Sequence, residues 1–131
     1  MLETGNHFLS LIMIHVSQTE LILPVPVFIL EDDAIMQQRL KRILLEIGYA
    51  EDALIFAQTL SQAIDMLQQY PISLSLVDLG LPDGNGIDFI ENLRQTDEVS
   101  PILVISAWST QETILKAIQA GATGYLLKER D

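Results

Sequence analysis

Acidic and polar side chains recur just beyond short apolar runs. Glu31, Asp32 and Asp33 follow VPVFIL, Asp78 follows ISLSLV, Ser106 follows ILVI, and Lys128 follows GYLL. If the segments ending at 31–32 and 78 are neighbours, Glu31, Asp32 and Asp78 converge on one small pocket. Two carboxylates about 4 Å apart repel by roughly 4 kcal/mol at an effective dielectric near 20, so the cluster calls for a counter-cation. The chain has no cysteine. Its two histidines, His7 and His15, lie far upstream and read as packing or exposed side chains. All-oxygen ligation with room for water suits Mg²⁺ better than Zn²⁺. Asp33 fits a helix N-cap better than a ligand.

The elements that must position these groups alternate. Val25–Leu30 is apolar almost throughout, as in a parallel strand buried on both faces, with Pro26 at its beginning. A helix is expected over 34–47, with Ile35, Leu40, Ile43, Leu44 and Ile47 at helical spacing and Gly48 as its left-handed cap. The second strand is 53–57, and Thr59 with Gln62 forms a capping box opening a helix through Gln69. A third strand at 72–77 leads into a Pro/Gly/Asn-rich loop over 81–86 and a helix over 87–94. Strand 102–105, a helix from a Ser109/Glu112 capping box to Ala120, and strand 124–127 complete the series. This pattern predicts an α/β fold with a parallel sheet covered on both faces. Ligands to such sheets bind beyond the carboxyl ends of the strands, where the acids, Ser106 and Lys128 stand.

The 131 residues are 49% hydrophobic, which suits one globular domain rather than a disordered chain. With 18 acidic against 7 basic residues, the net charge of −11 argues against direct nucleic-acid binding, which needs a basic surface. Absence of cysteine fits a reducing, cytoplasmic setting. Residues 1–24 read as an N-terminal extension to a domain over 25–131. Its apolar run Phe8–Val16 lacks the basic flank and cleavage site of a signal peptide and is too short to span a bilayer. Only four residues follow the last strand, so a final covering helix is absent from this chain. An open sheet face exposes apolar area worth roughly 25 cal/mol per Å². The extension, a second copy, or a helix in a longer parent could cover it, and the longer parent ranks first.

The blocks VFILEDD, LVDLGLPDGNG, PILVISA and AGATGYLLK, in this order and spacing over 25–128, resemble response-regulator receiver domains of two-component signalling. The resemblance implies a flavodoxin-like, doubly wound five-stranded sheet in the order 2-1-3-4-5. It implies a regulatory phosphoacceptor domain rather than an enzyme. Asp78 matches the acceptor of a phosphoryl group from the phosphohistidine of a sensor histidine kinase or histidine phosphotransfer protein. Asp32 and Asp78 match direct Mg²⁺ ligands, together with the backbone carbonyl of Gly80, while Glu31 reaches the ion through water. Lys128 and Ser106 match the groups that contact the phosphoryl oxygens, and Ser106 with Tyr125 forms the switch.

Some positions depart from the common pattern. Glu31 stands where aspartate is more usual, and its longer arm still reaches a metal-bound water. Glu129 follows Lys128 where proline is frequent, and a cis peptide without proline costs about 2.5–4 kcal/mol. The ending GYLLKERD is similar to receivers joined to helix-turn-helix output domains, which suggests transcription regulation. Trp108 is either a gate restricting hydrolytic water or a partner-facing aromatic. A Mg²⁺-dependent phosphatase would need a second acid where Gly80 stands. A flavodoxin-like cofactor site would be repelled by Glu31, Asp32 and Asp33. A degenerate receiver acting as a phosphorylation-independent binding module, an output domain and a homodimer remain alternatives for partner use.

Overall fold

Strand β1 (Val27–Leu30) is buried at all four positions and is paired on both sides. A computed structural model describes residues 22–107 and 110–128. After β1 come α1 (Ala34–Ile47), a 3-10 turn (Glu51–Ala53), β2 (Leu54–Ala57), α2 (Leu60–Leu67) and β3 (Leu74–Val77). A two-stranded hairpin, β4 (Gly80–Leu81) and β5 (Gly84–Asn85), precedes α3 (Gly86–Arg94). The series ends with β6 (Ile102–Ser106), α4 (Gln111–Ala120) and β7 (Gly124–Leu127). The main sheet is parallel and runs β2-β1-β3-β6-β7, the flavodoxin-like order expected from the sequence.

Alternation along the strands builds two cores. Val27, Ile29, Leu74, Leu76, Leu103, Ile105 and Leu126 face α1, which contributes Met36, Leu40, Ile43 and Leu44. Phe28, Leu30, Val77, Ile102 and Val104 face α2, α3 and α4. There Phe28 stacks on Phe89 of α3, with ring centroids 5.2 Å apart, fixing β1 against that helix.

Several boundaries differ from expectation for local reasons. β1 starts at Val27 rather than Val25, because Pro26 has no N–H to donate, although its carbonyl accepts Ser73 N–H at 3.0 Å. β2 starts at Leu54 because 51–53 close a 3-10 turn, and β3 starts at Leu74. α2 stops at Leu67, with Gln68 donating back to Asp65 and Met66 carbonyls. Ile35 is 74% exposed, and Met36 takes the core position assigned to it. Thr59 caps α2 as expected, but Gln62 Oε1 accepts from Gln58 N–H rather than from Thr59. α4 opens after Thr110, whose hydroxyl accepts Thr113 N–H at 3.2 Å, in place of the Ser109/Glu112 box. The loop assigned to 81–86 contains the hairpin instead, and β6 extends to include Ser106. Gly48 ends α1 at φ 127°, donating to the Leu44 and Leu45 carbonyls as a C-cap glycine does. No helix among the described residues is long and apolar enough to cross a membrane.

Candidate functional site

The ladders continue past the strand ends and set the site. Glu31 N–H donates to Ala57 O at 3.0 Å, and Asp78 N–H donates to Leu30 O at 2.9 Å. Glu31 and Asp78 therefore emerge side by side from β1 and β3. On the other half of the sheet, Lys128 N–H donates to Ser106 O at 2.7 Å, pairing these two residues. Parallel register thus brings together groups up to 97 residues apart in sequence.

One carboxylate oxygen from each of Glu31, Asp32 and Asp78 lies within 4.8 Å of the others. Glu31 is 1% exposed and Asp78 7%, whereas Asp32 is open to solvent. Lys128 Nζ reaches between the two buried acids, 2.9 Å from Glu31 Oε1 and 3.3 Å from Asp78 Oδ2. Backbone donors hold the carboxylates: Asp33 N–H donates to Glu31 Oε2 at 3.0 Å and Gly80 N–H to Asp78 Oδ1 at 3.3 Å. Gln37 of α1 donates its side-chain amide to the Glu31 carbonyl.

Burial pushes Glu31 up from 4.5 to about 7, opposed by Lys128 and reinforced by the charge of Asp78. Burial also raises Asp78, against Lys128 and the Gly80 N–H. Burial disfavours the Lys128 ammonium, yet the two acids outweigh it and hold the group above its ordinary value. The site is an electron-rich oxygen cluster already in need of positive charge.

Ser106 is fully buried at the end of β6. Tyr125 lies on β7, paired with Val104 and packed against the α2–α3–α4 core. Gly80 is exposed at the start of the hairpin. Asp33 caps α1, its Oδ1 accepting Ile35 N–H at 3.3 Å, as its position suggested. Trp108, Ser109 and the Lys128–Glu129 peptide lie outside the described residues, as do residues 1–21 with His7 and His15.

Three supporting residues escaped sequence reading. Asp83, in the hairpin turn, accepts from Leu60 N–H at 2.8 Å and Ser61 N–H at 3.0 Å, so it caps α2 from 22 and 23 residues away. Those donors hold its carboxyl below the usual range. Gly86 abuts the carbonyl of Asp78 so closely that any β-carbon there would overlap it. Arg94 ends α3 and donates to the carbonyls of Asp97, Ser100 and Gly121 at 2.8–3.0 Å. Only the glycine left a signal, within the block DGNG.

Comparison with known proteins agrees with this arrangement. The family model described as response regulator receiver domain matches residues 27–131. The KDP operon transcriptional regulatory protein KdpE of Escherichia coli (strain K12) is 38% identical over 103 residues, covering 78% of this chain and 44% of KdpE. Chemotaxis protein CheY-3 of Vibrio cholerae is 30% identical over 109 residues, covering 78% of each chain. A response regulator from Burkholderia pseudomallei, crystallised with a phosphorylated aspartic acid, calcium ion and citrate, superposes with a TM-score of 0.71 at 25% identity. That match covers 80% of this chain and 60% of the other. The chain spans less than half the length of several transcriptional relatives. Sheet order, clustered acids and family match together identify the chain as a member of the response regulator receiver domain family.

Proposed function

We propose that residues 25–131 form a phosphorylation-dependent signalling switch, with 1–24 as an extension to it. Asp78 is the acceptor. The observation that carries this reading is the convergence of Glu31, Asp32 and Asp78 within 4.8 Å, with Lys128 Nζ placed against two of them. In the transfer step an Asp78 carboxylate oxygen forms the new P–O bond while the P–N bond of a partner's phosphohistidine breaks. The product is an acyl phosphate, and the imidazole leaves with its electron pair. The donor is a sensor histidine kinase or histidine phosphotransfer protein.

The donor set fits Mg²⁺, since it is all oxygen, partly open at Asp32, and crowded with negative charge. Asp32, Asp78 and the backbone carbonyl of Gly80 would hold the ion, with Glu31 acting through water. When bound, the ion supplies positive charge against the phosphoryl oxygens. Lys128 supplies the chain's own positive charge there, and the buried setting strengthens its effect. Bringing an anionic donor to an anionic acceptor is chiefly an electrostatic problem.

Once Asp78 carries the group, Ser106 and the backbone N–H of Ala107 donate to its new oxygens. Their inward shift makes room for Tyr125 to turn inward and alters the surface of α4 and β7. A partner, an output domain or a second copy reads that surface, with coupling of about 1–3 kcal/mol typical of such switches. The setting is cytoplasmic, and any effect on transcription is exerted through an attached or bound partner.

Incubation with acetyl phosphate, followed by intact-mass measurement, tests the acceptor role. One phosphoryl group, dependent on Mg²⁺ and absent from Asp78→Asn, is expected. A folded parent chain that takes up none would overturn the switch and favour a phosphorylation-independent binding module.

A further inference from the structure

The first turn of α2 takes its hydrogen-bond acceptors from two separate segments. Its leading N–H groups, at Leu60, Ser61 and Gln62, precede the helical ladder, whose first bond runs from Ala63 N–H to Thr59 O at 3.1 Å. Thr59 Oγ1 accepts from Gln62 N–H at 3.1 Å. One distant carboxylate takes the other two: Asp83 accepts Leu60 N–H on Oδ1 at 2.8 Å and Ser61 N–H on Oδ2 at 3.0 Å. An ionised acceptor facing a helix N-terminus makes these bonds stronger than neutral ones. Packing accompanies them, since a β-carbon at Gly84 would come within 2.8 Å of Leu60 Cδ2.

Both ends of this link lie on backbone that carries site groups. α2 follows β2, and the Ala57 carbonyl at the end of β2 accepts Glu31 N–H at 3.0 Å. Asp83 lies at the tip of the hairpin in which Gly80 pairs with Asn85 and Leu81 with Gly84. At its base, Gly80 N–H donates to Asp78 Oδ1 at 3.3 Å, and Asp78 N–H donates to Leu30 O at 2.9 Å. The bonds close a circuit that runs from Glu31 through Ala57, the start of α2, Asp83, Gly80 and Asp78 back to β1. The hairpin is a sheet of its own, outside the five-stranded ladder. Its tip is joined to α2 through Asp83 and the Leu60–Gly84 contact.

We propose that Asp83 is a positioning residue for the divalent ion: by joining the hairpin to α2 it fixes the backbone of Gly80 relative to Asp32 and Asp78. The proposal rests on the ligand set given under the proposed function and adds a residue that touches neither the ion nor the phosphoryl group. Gly80 has no side chain to hold its own peptide in place, and it is exposed. A carbonyl already held in place costs less to order when an ion arrives, and this is how a partner outside the ligand set raises affinity.

Titration of the full chain with Mg²⁺, followed by the amide signals of 78–81 and 83–86 with no phosphoryl donor present, tests this. Asp83→Ala should weaken Mg²⁺ binding roughly tenfold, the scale for losing a residue that orients a metal ligand. At saturating Mg²⁺ its phosphorylation by acetyl phosphate should match the parent rate. Thr59→Ala removes the helix's own cap and leaves the link intact, so it should lower the urea midpoint but keep the parent's Mg²⁺ affinity. Asp83→Asn loses the charge but keeps a carbonyl acceptor, and its affinity should lie closer to the parent than to Asp83→Ala. Parent-like affinity in Asp83→Ala overturns the proposal. So does equal weakening in Thr59→Ala, which would make helix stability the cause, or equal weakening in Asp83→Asn, which would make charge alone the cause. A parent chain that binds Mg²⁺ yet takes up no phosphoryl group would sink the switch, while the titrations still decide the role of Asp83.

Discussion

The ammonium nitrogen of Lys128 lies 3.3 Å from Oδ2 of Asp78, across 50 residues of sequence, and it leans still closer to Glu31. A single cation thus serves two buried carboxylates from separate strands. Lys128→Ala should slow phosphorylation by acetyl phosphate at least tenfold. It should also lower metal-free stability at pH 8 by about 3 kcal/mol, the scale for breaking a buried ion pair. Intact-mass time courses and urea unfolding measure the two effects.

Glu31 provides a pH dependence. Its carboxyl is raised from 4.5 to about 7 by burial, so the folded chain holds its proton more tightly than the unfolded one. That contribution is fully present below pH 4.5 and is lost as pH rises through 7. At 1.36 kcal/mol per unit, the loss is on the order of 3 kcal/mol. Urea midpoints in chelated buffer should show this fall for the parent between pH 5 and 8, and Glu31→Gln should flatten it.

Gly86→Ala tests the contact beneath Asp78. A β-carbon would overlap the Asp78 carbonyl and crowd Val77, so α3 or β3 must shift. Destabilisation of about 1–3 kcal/mol is expected, as for other overpacked sites. Phosphorylation of the chain that remains folded should slow as Asp78 moves relative to Lys128.

Arg94→Ala should cost about 2–3 kcal/mol, because its guanidinium donates to backbone carbonyls of two separate connections, Asp97 and Ser100 before β6 and Gly121 before β7, and charged donors are the stronger kind. Thermal unfolding should report the loss, while the initial rate of Asp78 phosphorylation below the melting transition stays near that of the parent. Arg94→Lys should recover little, since an ammonium lacks the planar fork.

What was legible in the sequence follows from the range of each interaction. Strand order was anticipated through the resemblance of four sequence blocks to receiver domains, and given neighbouring first and third strands, Glu31, Asp32 and Asp78 had to meet, because parallel strand ends share one edge. Asp33 and Thr59 could be read as caps because both act within three residues. Asp83 left no signal in the sequence, because its donors, Leu60 and Ser61, belong to another segment. Ile35 fitted the helical period but falls on the outer side of α1, where the neighbouring Met36 turns inward. The α4 start moved from Ser109 to Thr110 because either hydroxyl suits an N-cap and only the backbone path decides.

The clasp between Asp83 and the first turn of α2 bears on how force leaves the acceptor. A turn pinned at its tip by a different stretch of chain acts as a buttress. If Asp78 takes up a phosphoryl group as proposed, the hairpin that follows it is tethered on the α2 side, so the β6–β7 side of the cleft is the one left free to yield.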